Sequence, residues 1–263
     1  MHVYLYYFII YSFIGWCIEV CYATLNTGKF VNRGFLNGPY CPIYGSGATA
    51  MVYFLSQYKE FPLILFVTSA VIATILEFIT GYILEKIFNC KWWDYSNVPF
   101  NIKGYICLKF TIIWGLASIL LINVLHPIIR NFISHTPRII GRTLMFIMFT
   151  TMLADFIVTV KTILKLNVKL KNLEKISSDA LQFSDNFGNK LSENFLATQE
   201  KFKSLRKRNW FEKRLLISFP HLRSKKFRKP FARLKVYLYK KNKEKNRLNT
   251  NSDITKNIDT SKD

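Results

Sequence analysis

Long apolar runs separated by short polar connections fill residues 1–160, and within each run the apolar positions occupy every side of a would-be helix. A helix that is apolar all round belongs in a protein core or a bilayer. About 20 such residues cross a hydrocarbon layer of about 30 Å. Five stretches fit a span: about 3–25, 43–58, 61–84, 105–126 and 139–160. The second is short, follows Gly38-Pro39-Tyr40-Cys41-Pro42 and opens with Gly45-Ser46-Gly47. Its rival reading is a re-entrant or broken helix, which requires a backbone buried in protein or facing water. The first stretch lacks a basic leader and contains Glu19, so it reads as a retained span and not as a signal peptide.

Beyond residue 160 the pattern changes. Ile163, Leu166, Leu170, Leu173 and Ala180 recur at helical spacing, which predicts an amphipathic helix or a short coiled coil. Residues 201–247 interleave basic and apolar groups, and beyond Asn246 the chain is polar and expected to be disordered. The organisation expected is a transmembrane domain 1–160, a basic amphipathic cytoplasmic tail 161–245 and a disordered end 246–263. The fold class is all-α: a polytopic helix bundle with a partly helical tail.

Charge sharpens this division. The 263 residues are 50% hydrophobic yet carry a net charge of +21. Residues 1–160 hold ten Lys/Arg and six Asp/Glu, whereas 161–263 hold 27 and ten. A single soluble globule is excluded by that segregation. Five scattered cysteines exclude a disulfide framework. With the basic tail in the cytoplasm, five short-loop cations (Lys29, Arg33, Lys86, Lys91, Lys103) fall inside and three (Lys59, Arg130, Arg138) outside. This predicts a multi-pass protein of the inner membrane, N-terminus out and C-terminus in. Beside a bilayer the tail cations favour anionic lipid headgroups over nucleic acid.

Ionisable groups at membrane depth are costly and need a partner or water. Glu19, Glu77 and Asp155 lie within spans, and the topology puts all three in the cytoplasmic half. Arg33, Lys103 and Lys109 are the candidate partners at that level, and Asp94 is expected to pair with Arg33 or Lys103. Glu77, far from its helix end, is the best candidate for a polar pathway; Glu19 and Asp155 fit a purely structural pair equally well. Trp92, Trp93 and Tyr95 read as an interfacial aromatic belt. The two inner connections resemble each other: Gly15-Trp16-x-x-Glu19 matches Gly81-Tyr82-x-x-Glu85, and Asn32-Arg33-Gly34-Phe35 matches Asn101-Ile102-Lys103-Gly104-Tyr105. Repeats of this kind occur in transporters, with sites at the repeat interface. Cys17 and Cys21 read as packing thiols rather than metal ligands, no nucleophile–base pair points to an enzyme, and no cofactor is expected.

The run Phe30 to Gly45, with Asn32, Gly34, Gly38, Pro39, Pro42 and Gly45, resembles the signature of the CmpB-like, type IV group of ABC-transporter permeases. So do Trp92-Trp93-Asp94-Tyr95-Ser96, Asn101-Ile102-Lys103-Gly104-Tyr105 and Trp114-Gly115. The resemblance covers about residues 5–160 and implies an integral membrane protein with a transport role. No Gly-x-x-x-x-Gly-Lys-Ser/Thr phosphate loop occurs, so a separate ATP-binding subunit is implied. The expected function is a permease-like component with Glu19, Arg33, Glu77, Asp94, Lys103 and Asp155 along a polar pathway. The alternative is a non-transporting scaffold or sensor whose tail binds anionic lipid or a partner protein.

Overall fold

The computed structural model describes residues 2–186, 214–215, 218–219 and 223–224. It is mostly helical: α1 His2–Thr27, α2 Pro42–Leu55, α3 Pro62–Phe88, α4 Leu108–Leu120, α5 His126–His135 and α6 Arg138–Asn186. Strands are two residues each: β1 Cys90–Lys91, β2 Asn101–Ile102, β3 Ile106–Cys107 and β4 Arg223–Ser224.

Helix ends follow local chemistry. Gly28 adopts a left-handed φ of +67° and donates its amide to Thr24, closing α1. Pro42 and Pro62 open α2 and α3, where a missing N–H costs nothing. Asn89, at φ 53°, ends α3 by donating to the Glu85 carbonyl. Pro127 cannot continue a regular ladder; a π-turn, Leu121–Leu125, precedes it and lets α4 run on into α5. Thr136, extended before Pro137, breaks the chain between α5 and α6.

Among the described residues, four segments are long and apolar enough to cross a membrane: Val3–Thr27, Pro62–Phe88, Leu108–His135 and Arg138–Asn172. The expectation of five full spans is therefore corrected. α2 has 14 residues, about 21 Å of rise against a hydrocarbon thickness of about 30 Å. The cause is local: Pro39 and Pro42 keep the preceding residues out of a helix, and a 3₁₀ turn at Ser56–Tyr58 ends it before Pro62.

The chain divides into two units. The first comprises residues 1–166 and 210–222 and contains α1 to α5 with the start of α6. Its core is mostly apolar, and its surface is rich in large apolar side chains as well. Leu63 and Phe146 are 75% and 70% exposed, whereas Ser12, Ser69 and Thr159 are buried. Such a surface suits hydrocarbon, and the interior also holds these hydroxyls. α2 lies antiparallel on α1, with Tyr53 against Tyr4 at one end and Tyr44 against Gly15 at the other. α3 and α4 are also antiparallel: Gly115 receives Phe66, and the hydroxyls of Thr74 and Thr111 meet at 2.9 Å. Met51, Leu55, Leu65 and Ile122 tie α2, α3 and the π-turn together. Ile9, Leu36, Tyr40 and Met152 join α1, the following loop and α6.

The second unit comprises residues 167–209 and 223–263; its described parts are residues 167–186 of α6 and β4. The expected helix after residue 160 is thus present to Asn186. The expectations for the basic stretch beyond it, and for the disordered end 246–263, fall almost wholly outside the described residues.

Candidate polar site at the motif loops

The loop 28–41 turns back along α1. Phe30 packs on Trp16, the Trp16 indole donates to Asn32 Oδ1 at 2.9 Å, and the Cys41 amide donates to the Ser12 carbonyl at 2.8 Å. The loop therefore lies beside residues 12–22 of α1, and α2 starts from there. Non-helical backbone at this level must find its hydrogen bonds inside the protein. Asn32 supplies several: its Oδ1 accepts from the Gly34 amide, and its Nδ2 donates to the Asn37 carbonyl. Asp155, on α6, supplies more. Its carboxylate accepts from the Gly38 amide (2.6 Å) and the Asn37 side chain (2.7 Å), and Thr159 also donates to it. Asp155 is thus a loop anchor. Pro39 and Pro42 set the turn into α2, and Gly45 lets α1 come close.

Glu19 lies on the other side of the same loop. Tyr44 donates its hydroxyl to Glu19 Oε1 at 2.7 Å, and the Arg33 guanidinium approaches Oε2 at 3.8 Å. Arg33 also covers the Tyr22 ring. Glu77 is buried in α3; Tyr95 donates to its Oε1 at 3.1 Å, and the Trp114 side chain also reaches its carboxylate. The Tyr95 phenol is pushed well up by burial first, then by Glu77, with Cys107 and Glu19 adding further negative influence. Each carboxylate thus has its own phenol, Glu19 with Tyr44 and Glu77 with Tyr95. Tyr44 meets the Trp114 ring at 5.6 Å, and Tyr95 stacks on Phe110 at 4.7 Å. Glu19–Tyr44 and Glu77–Tyr95 are neighbouring phenol–carboxylate pairs beside aromatic rings, with Glu77 buried and the other three half-buried. They can hold a proton or small cation, or orient a hydrogen-bonding solute.

The second connection is built differently from the expectation. Asp94 forms its ion pair with Lys91, at 3.7 Å, while Arg33 pairs with Glu19 instead. Lys91 also donates to the Lys103 carbonyl, which brings the Lys103 backbone, not its ammonium, into this cluster. Lys103 and Lys109 side chains are exposed. Lys103 and Gly104 both take positive φ in the tight turn between β2 and β3, where Asn101↔Cys107 and Ile102↔Ile106 pair antiparallel. A Cβ on Gly104 would strike Asp94 Oδ1 at 2.4 Å. Trp93 donates to the Tyr105 carbonyl. Trp92 is buried against Phe35 and Phe88, so packing between the two motif loops replaces the aromatic-belt expectation for this residue.

The sequence repeat has a structural counterpart. In the first copy Gly15 makes room for the Tyr44 ring, whose hydroxyl reaches Glu19 one turn further along α1. In the second, Gly81 makes room for Tyr105, whose hydroxyl donates to Glu85 at 2.8 Å. In both loops an asparagine Oδ1 caps a glycine amide: Asn32 on Gly34 and Asn101 on Gly104. A glycine and a carboxylate four residues apart share one helix face, which explains the spacing. Sequence reasoning saw the repeat but did not nominate Tyr44, Glu85, Tyr95 or Tyr105. The offset copies were the available signal for Glu85 and Tyr105. Nothing in the sequence pointed to Tyr95 as the partner of Glu77.

Four long apolar helices with polar groups turned inward define a multi-pass α-helical membrane protein. Residues 6–160 match the family described as "Putative ABC-transporter type IV" (ABC_trans_CmpB), and the chain belongs to that family. No curated protein and no solved structure matches it.

Proposed function

We propose that this chain is the membrane-embedded, permease-like subunit of an ABC-type transport system, with ATP hydrolysis supplied by a separate chain. The observation that carries the reading is the buried Glu77, bonded by Tyr95, next to a half-buried Glu19–Tyr44 pair beside a non-helical loop, with Trp114 reaching both Tyr44 and Glu77. Discontinuous segments of this kind supply polar groups within a membrane where a continuous helix offers only side chains. Glu77, a carboxylate buried within α3 and held by Tyr95 and Trp114 without a cation beside it among the described residues, is the group that would change state during the transport cycle. The substrate class that such a site accommodates is a small cationic or hydrogen-bonding solute.

Loop 28–41 and α2 together make a broken second crossing in this reading, so five crossings put the N-terminus outside and the C-terminus in the cytoplasm. Both motif loops then face the cytoplasm, where a nucleotide-hydrolysing subunit would dock. Reporters placed at residue 29 and residue 97 must both read cytoplasmic; opposite sides would refute this topology. The tail cations would rest on anionic headgroups of the inner leaflet.

The test is affinity purification of the full chain from native membranes. An ATP-hydrolysing chain should copurify, and Glu77→Gln should uncouple its turnover in lipid nanodiscs while leaving the complex intact. Recovery of a complex without any ATPase would favour the scaffold reading, and wild-type turnover in the variant would remove Glu77 from the mechanism.

A further inference from the structure

The carbonyls of Gly34, Phe35 and Leu36 form a compact set of acceptors on the first motif loop, and a single side chain serves all three. Arg214 Nη1 donates to Leu36 at 2.6 Å and to Gly34 at 3.3 Å, and Nη2 donates to Phe35 at 3.1 Å. Arg214 comes from the basic segment that follows the transmembrane region, 178 residues from Leu36. It is buried, and so are Leu215 and Ser218. The Phe219 amide donates back to the Leu215 carbonyl, and Phe219 lies edge-on to Trp92 at 4.8 Å. The same short segment thus touches both motif loops, at Gly34–Leu36 and at Trp92.

An arginine suits this place for a physical reason. Three consecutive carbonyls in a bent loop are not satisfied by a helix or sheet ladder, and a guanidinium presents a rigid fan of donors. Burial lowers the Arg214 pKa to about 10, with Asp155 acting in the opposite direction, so the group remains a cation at neutral pH. Asp155 holds Asn37 and Gly38 of the same loop. The loop is therefore gripped from two sides, by an anion on its amides and by a cation on its carbonyls.

We propose that the Gly34–Leu36 carbonyls are a guanidinium-binding cradle, filled from within the chain by Arg214, and that Arg214, with Phe219 on Trp92, is a latch holding the motif loop against α1. This does not depend on the transport reading. It assigns the basic tail a protein-bound role at one point, beside any contact with lipid.

Cys41, buried at the end of the loop, is a native reporter. In the full chain in membrane vesicles, with Cys17, Cys21, Cys90 and Cys107 replaced by alanine, N-ethylmaleimide should label Cys41 slowly. Arg214→Ala should raise that rate at least about tenfold, in line with losing buried charge-assisted hydrogen bonds. Millimolar guanidinium or methylguanidinium should then slow labelling again, whereas equal sodium or urea should not. Unchanged labelling in Arg214→Ala overturns the latch, and fast labelling without guanidinium rescue overturns the cradle. Should Arg214→Ala fail to accumulate, the pair Trp92→Cys and Phe219→Cys in the cysteine-free background decides. Oxidative crosslinking that added guanidinium suppresses supports the proposal; no crosslink, or one indifferent to guanidinium, overturns it.

Discussion

Gly45→Ala is a demanding test of how α1 and α2 meet. A Cβ at Gly45 would lie 2.1 Å from Ser12 Oγ and 2.4 Å from the Phe8 carbonyl oxygen. Ser12 can rotate, but the Phe8 oxygen belongs to the helix backbone. A carbon needs about 3.3 Å from such an oxygen, so the two helices must separate by about 1 Å. Overpacking of this kind costs about 1–3 kcal/mol or more. Alanine's better helix propensity returns about 1 kcal/mol. With a rigid backbone oxygen in the way the cost lies at the upper end of that range, so the net loss expected is up to about 2 kcal/mol. Gly47→Ala is the control two residues away: its Cβ would meet Leu76 Cδ1 at 3.8 Å, an ordinary contact. That variant keeps the propensity gain and should be neutral or slightly more stable. Reversible unfolding in mixed micelles, driven by increasing SDS fraction, measures both. Gly45→Ala should unfold at clearly lower SDS than wild type, and Gly47→Ala should not. If the two variants unfold together, the close crossing of α1 and α2 is wrong, and with it the placement of Tyr44 on Gly15.

Asp155→Ala removes the acceptor for Gly38, Asn37 and Thr159, each bond to a charged group contributing about 1.5–3 kcal/mol. Amide exchange across residues 34–41 should accelerate about a hundredfold, less in Asp155→Asn; an unchanged rate would show that Asp155 does not anchor the loop. Burial, and then the Glu85 hydrogen bond and charge, push the Tyr105 phenol up to about 12. The folded chain therefore keeps a proton that the unfolded chain releases near pH 10, so this contribution is whole below about pH 10 and declines as pH rises toward 12. Tyr105→Phe should lose that decline, and ultraviolet difference titration should show one fewer late-ionising phenol; identical alkaline profiles for variant and wild type would refute the Tyr105–Glu85 pairing.

The apolar runs alone determined that this is a helical membrane protein, because crossing a bilayer demands a length and composition that few other structures need. The motifs around Asn32–Gly45 and Trp92–Tyr105 carried the family, and the glycines within them signalled close approach before any partner was visible. Gly15 and Glu19 announced a shared helix face by spacing, but the tyrosine that fills it comes from another element. Tertiary structure decided the rest. Prolines 39 and 42 mark a break without saying where the chain goes; only the contacts of residues 30–41 with residues 12–22 show that it runs back along α1 before α2 begins. Arg214 looks like any other cation of a basic tail, and Asp155 like any acid near a helix end. Their roles depend on which backbone groups of a distant loop are left without partners, and a sequence records donors and acceptors but not which of them are brought face to face.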